Sequence, residues 1–146
     1  MLLFCFVCFA SQAAAQATTT PNFTEGAVSR VILIQIKPGK NTDFWTEFRQ
    51  NGKPVYDAYK AAGIIEDYSV TVKSTTEGEG DWNVSLVLTY KNFAALDGLS
   101  AKTDPITLKH YGSAAARTAA SIKRTENATT VGSFLMRHVT VNDWPK

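Results

Sequence analysis

Hydrophobic positions recur along this chain with two periods, one of strands and one of helices. Val31, Ile32, Leu33, Ile34 and Ile36 form a dense β-branched run of strand length. In an extended backbone Ile32, Ile34 and Ile36 fall on one side and Val31 and Leu33 on the other. A strand apolar on both faces is expected in the middle of a sheet that is covered twice. Pro38-Gly39 then stops it, because proline offers no ladder N–H and glycine accepts turn geometry. Asn41 or Thr42 can cap the helix that follows, and Asp43 in its first turn suits the helix dipole. Phe44, Phe48, Val55, Tyr59 and Ala62 keep a helical phase straight across Asn51-Gly52-Lys53-Pro54. One helix over 42–62 is predicted, kinked by Pro54 and stopped by Gly63.

Residues 64–74 alternate, with Tyr68, Val70 and Val72 set against Ser69, Thr71 and Lys73, as expected of an edge strand. The polar stretch TTEGEGD over 75–81 reads as a hairpin loop. A third strand over 82–90 places Trp82, Val84, Leu86, Leu88 and Tyr90 on one face, and Asn92 can cap a short helical turn reaching Leu99. A second long helix is predicted from Pro105, favourable at a first helical position, to about residue 123. Its apolar stripe would be Leu108, Tyr111, Ala115, Ala119 and Ile122. The last strand, 130–141, offers Val131, Leu135 and Val139 on one face and Phe134, Met136 and His138 on the other.

The order β-α-β-β-α-β is the ferredoxin-like pattern: an α+β fold, with a four-stranded antiparallel sheet and two main helices on one face. Strands one and three are central in that topology, and they are also the most apolar ones here. Helices cover only one face, so the other would expose a large apolar patch on a monomer. A homodimer with sheet facing sheet is the expected solution.

Residues 1–17 resemble a secretory signal: Leu2 to Ala10 is apolar, and Ala13-Ala14-Ala15 and Ala15-Gln16-Ala17 both fit a cleavage site, although no Lys or Arg precedes the apolar run. The run is too short to span a bilayer. A secreted or periplasmic bacterial protein is expected, with no membrane association after cleavage. Cys5 and Cys8 would leave with the signal, so no disulfide is expected in the mature chain. A polar lead-in over 18–27, one domain over 28–142 and a tail over 143–146 complete the division. The net charge of +2 carries no dense basic block, which disfavours nucleic acid as a partner. Two separated histidines and no mature cysteine disfavour a zinc site, so no metal is expected.

With its opening IQIKPGKNTDFW and its order of elements, the chain resembles the dimeric α/β-barrel superfamily over about 28–141. That group includes antibiotic-biosynthesis-monooxygenase-like, EthD-like and NIPSNAP-like domains. The resemblance implies a dimeric α/β barrel, and members include cofactor-independent oxygenases of aromatic compounds, some using an Asn, Trp and His set, as well as haem-degrading enzymes. No cofactor is expected here, with haem as the alternative.

Candidate site residues follow from helix and strand phase. Asn51 falls almost on the core stripe beside the kink, where a buried amide must find partners. His110 lies on the second helix, opposite its apolar stripe, and reads first as a solvent-facing side chain, otherwise as a base or haem ligand. His138 shares a strand face with Phe134 and Met136, at an interface or in a pocket. Asn51, His138 and His110 are the catalytic candidates. Trp45 and Tyr56 flank the first helix with Arg49 beside them, an arrangement that can wall an apolar pocket with a cation at its mouth or simply mark an amphipathic boundary. Trp82 can cover one end of a barrel. Together these features point to an exported protein that binds a small apolar or aromatic molecule, with oxygenase-like turnover as the enzymatic extension. A non-catalytic dimerisation module is the alternative.

Overall fold

A computed structural model describes residues 21–75, 78 and 80–143. The signal segment 1–17, the first part of the lead-in, three residues of the 75–81 loop and most of the tail lie outside these residues. At the centre is β1 (Phe23–Ile36), flanked by β3 (Val84–Tyr90) and β4 (Ala128–Val141), and β2 (Asp67–Val72) pairs with the far side of β3. All pairings are antiparallel, in the order β2-β3-β1-β4. This is the ferredoxin-like arrangement, with strands one and three inside and strand two at an edge.

β1 begins earlier than its apolar run implies. Phe23, Thr24 and Glu25 pair with Val141, Thr140 and Val139, so part of the expected lead-in belongs to the sheet. Polar side chains hid this extension, since Glu25 is instead tied to Arg137 across the ladder. Irregularities between Glu25 and Val28 and between Leu33 and Ile34 shift the register against β4. The second leaves Val131 outside the pairing and reverses which side of β4 each later residue presents.

The first helical stretch is continuous but not uniform. α1 (Asn41–Glu47) passes through a wide π turn (Phe48–Gly52) into α2 (Lys53–Ala61). Lys53 N–H reaches back to Phe48 O, one residue further than in an α-helix. Pro54 has no N–H to offer the carbonyl four residues before it, and the wide turn immediately upstream absorbs the mismatch. Neither Asn41 nor Thr42 caps the helix: Lys40 holds the N-cap position, and Asn41 Oδ1 instead accepts from Trp45 Nε1 at 3.1 Å.

Two helices replace the second long helix of the sequence reading. α3 (Leu99–Tyr111) ends at Gly112, whose φ of 79° is left-handed, and α4 (Ala114–Asn127) starts at Ser113, whose side chain accepts from Ala116 N. Pro105 lies inside α3 rather than at its start, at the loss of one helical hydrogen bond. The break resets the helical phase, so the expected stripe is not the packed one: Leu108 and Ile122 are 37% and 58% exposed. The inward side of α4 is Arg117, Ala120, Arg124 and Asn127.

All helices lie on one side of the sheet. Between them sits a core of Ile65, Leu86, Leu88 and Tyr90, with Ile32, Ile34, Tyr56 and Tyr59 packed against it. Burial of Ile65, Leu86 and Leu88 contributes roughly 1.5–3 kcal/mol each. On the opposite face, β1 presents Ser29, Val31 and Leu33 beside Phe134, Met136 and His138 of β4. Ser29 and Val31 are shielded by their neighbours, while Phe134 and Met136 are 46% and 45% exposed.

Candidate functional site

Where the helices meet the sheet the apolar filling is incomplete. A cavity of about 380 Å³ runs under α1, α2 and α3, and a second lobe of about 460 Å³ continues beneath α4 towards the start of β4. The lobes share Ile34, Phe44, Glu47, Tyr56, Leu86 and Arg124. Most of the wall is apolar. The chain leaves this space because the inward positions of α4 are polar or small and cannot fill it as leucines would.

The polar groups in the wall form a connected set. Arg124 Nη1 donates to Glu47 Oε1 at 3.3 Å and to the Tyr111 hydroxyl at 3.0 Å. Arg117 Nη1 donates to Asp104 Oδ1 at 2.8 Å and to Thr107 Oγ1 at 3.1 Å. Arg30, from the helix-facing side of β1, also lines the cavity, and its guanidinium makes no hydrogen bond or ion pair with the described residues. Burial pushes the Tyr56 phenol up to about 12, reinforced by Tyr59 and Glu47 and opposed by Arg124. Tyr90 is raised for the same reason, burial, and is drawn part of the way back by Arg30. The site therefore combines apolar walls, phenols that stay protonated and guanidinium groups, which suits binding of a polarised or anionic oxygen on an otherwise apolar molecule.

Of the residues singled out from sequence, Tyr56 alone lines this cavity. Trp45 and Tyr56 do not wall one pocket together. Phe48 stands between them, its ring 6.0 Å from Trp45 and 6.2 Å from Tyr56, and Tyr56 continues to Tyr68 at 5.5 Å. Arg49 is exposed and, among the described residues, hydrogen-bonds only to Thr46 Oγ1, at 3.4 Å. Trp82 precedes β3 and packs under Lys73, whose Nζ is 5.0 Å from its ring centre.

Asn51 and His110 do meet: His110 Nε2 lies 3.1 Å from Asn51 Oδ1, joining the π turn to the end of α3. Asn51 is part-buried and His110 is exposed, and the groove beside them, lined by Pro54, Val55, Ile106 and His110, opens on the outside of the helices. His138 lies on the helix-free face of the sheet, with Nε2 2.7 Å from Ser29 Oγ. The three catalytic candidates thus do not converge on one space.

Glu47, Tyr111, Arg124 and Arg30 carry the cavity chemistry, and pattern reading passed over them as site residues. Arg124 lies one residue past the predicted helix end. The recurrence of Arg117, Ala120, Arg124 and Asn127 at helical spacing was the available signal, masked by the more apolar opposite side. Among the described residues no group of three His, Cys, Asp or Glu side chains is arranged to hold a metal ion, and no helix is long and apolar enough to cross a membrane.

No protein family matches the chain by sequence, and neither does any curated protein. Solved structures of similar shape include several described as dimeric ferredoxin-like proteins. One is a dimeric ferredoxin-like protein from an uncultured marine organism, 12% identical, with a TM-score of 0.47 over 83% of this chain and all of that one. HapK of Hahella chejuensis is 11% identical, with a TM-score of 0.46 over 82% of this chain and 99% of its own. A candidate antibiotic biosynthesis monooxygenase from Caulobacter crescentus is 16% identical, with a TM-score of 0.45 over 82% and 94%.

Proposed function

We propose that this chain is an exported, homodimeric protein that binds a small, largely apolar molecule in the cavity between its sheet and its helices. The observation that carries the reading is the cavity itself: two confluent lobes with apolar walls, crossed by the Glu47–Arg124–Tyr111 set and edged by Tyr56. A module built only to associate has no use for an apolar recess beneath its helices crossed by an ion pair, and close packing there would raise its stability. The proposal extends to binding and not to turnover, since neither histidine reaches the cavity wall.

Dimerisation is supported by the helix-free face. Leu33, Phe134 and Met136 form an apolar surface there that a second sheet would cover. Export is supported by the apolar segment and small-residue site within 1–17.

Native mass spectrometry of the protein purified without denaturation tests the reading. A dimer carrying a small co-purified compound is expected, and Ile34→Phe, which adds bulk where the two lobes join, is expected to displace that compound. A compound retained in full by a folded Ile34→Phe variant would place binding elsewhere, and a monomer at micromolar concentration would refute the dimer.

A further inference from the structure

The charges around the cavity do not balance. Glu47 is engaged by Arg124 and Asp104 by Arg117, while Glu25, the acidic residue at the far end of β1, is held by Arg137. Arg30 is left over. It is part-buried on the central strand, directly opposite Leu88 and Leu135 in the two flanking ladders, and no carboxylate among the described residues meets it. Its guanidinium gains no partner from the described residues and is open to the cavity rather than sealed from water, since none of their side-chain nitrogens or oxygens is buried without a partner. It also sits where a bound molecule would meet it, since Leu88, Tyr90 and Leu99 line the same cavity.

Resting on the cavity reading above, we infer that the ligand is a carboxylic acid with an apolar body, and that Arg30 is the residue that receives its carboxylate. The planar fork of a guanidinium matches the two oxygens of a carboxylate and favours a paired hydrogen bond that an amide or alcohol cannot reproduce. The apolar body then lies along Leu88 and Ile34 towards the rings of Tyr56 and Tyr59. Arg49, the cation that sequence phase placed at a pocket mouth, is not in the cavity wall, and Arg30 takes that role from the floor of the sheet. Arg124 and Arg117 keep their internal partners and shape the far wall.

Isothermal titration of the purified protein with 2-naphthoate and with its neutral counterpart 2-naphthamide separates the two claims. The wild type is expected to prefer the carboxylate by roughly ten- to a hundredfold, the range of a charge-assisted pair. Arg30→Gln is expected to abolish that preference and to leave the amide affinity within about twofold. A preference that survives Arg30→Gln overturns the assignment, as does equal binding of the two probes by the wild type, and in both cases the cavity reading stands. If neither probe binds, the cavity reading fails and this inference fails with it. Should Arg30→Gln not fold by circular dichroism, Arg30→Lys carries the test. It keeps the charge without the fork, so weaker carboxylate binding with unchanged amide binding supports Arg30, and no change in either overturns it.

Discussion

Arg124 of α4 and Glu47 of α1 meet across the cavity, Nη1 to Oε1 at 3.3 Å, and the same nitrogen donates to Tyr111 at the end of α3. One guanidinium therefore ties three helices together over a space that side chains do not fill. Glu47 is the more enclosed partner, with 11% of its side chain exposed against 42% for Arg124. Its carboxylate depends on Arg124 for charge compensation, whereas Arg124 retains partial access to water.

Removing Arg124 is expected to cost more than removing a surface ion pair. Arg124→Met leaves the Glu47 carboxylate enclosed without a partner, for a loss of about 1–3 kcal/mol once the exposure of the arginine is allowed for. Glu47→Gln combined with Arg124→Met is expected to recover part of that loss. Urea unfolding midpoints of the two single variants and the double variant measure it, and strictly additive losses would show that the two groups are not coupled.

Alkaline pH is expected to destabilise the fold. A phenol whose pKa is raised by burial favours the folded state while protonated, so its contribution is complete below the unfolded value near 10 and is lost as pH rises towards the folded one. For Tyr56 the window runs from that value to about 12, and Tyr59, Tyr68 and Tyr90 shift in the same direction, each with burial as the leading cause. Tyr56 alone is expected to contribute on the order of 2 kcal/mol across this range. Urea midpoints at pH 9 and pH 11 measure the slope, and Tyr56→Phe should make it shallower.

Phe134 is expected to be an association residue. It is 46% exposed on the helix-free face beside Met136, and a charge there would oppose burial against a second copy while leaving the helix-side core untouched. Phe134→Glu is expected to shift the protein from dimer to monomer in sedimentation velocity with its circular dichroism unchanged. A variant that stays dimeric would exclude this face as the interface.

Gly52 closes the π turn against an aromatic ring. A Cβ added there would lie 2.8 Å from Phe48 Cδ2, and Phe48 is held between Trp45 and Tyr56. Gly52→Ala is ordinarily favourable within a helix, yet here overpacking is expected to win, with a net loss of roughly 1–2 kcal/mol. Thermal unfolding of the variant measures this; a rise in Tm would mean that the ring moves aside freely.

Much of the fold is legible in the sequence. The run from Val31 to Ile36 marks the central strand, Val84, Leu86, Leu88 and Tyr90 the buried side of its neighbour, and Asn92 the cap of the short 3₁₀ turn at Phe93–Leu96, with its side chain accepting from Ala95 N. These features are local, because period and capping act over a few residues. The break at Gly112-Ser113 is legible too, as a glycine stop followed by a serine cap, but the apolar stripe that runs across it is the stronger periodic signal.

The order of the strands along the chain, the apolar faces of β1 and β3 and the edge character of β2 are written in the amino-acid sequence, since each follows from alternation between adjacent residues. Which polar side chains face inward is set by the packing of helices on the sheet. Glu47 and Arg124 are 77 positions apart, and their pairing depends on how α1 and α4 cross over the sheet, which no periodicity encodes. The same holds for Arg30: its sequence neighbours mark it as part of an apolar strand, and it acquires a role only because the helices above β1 leave room over it.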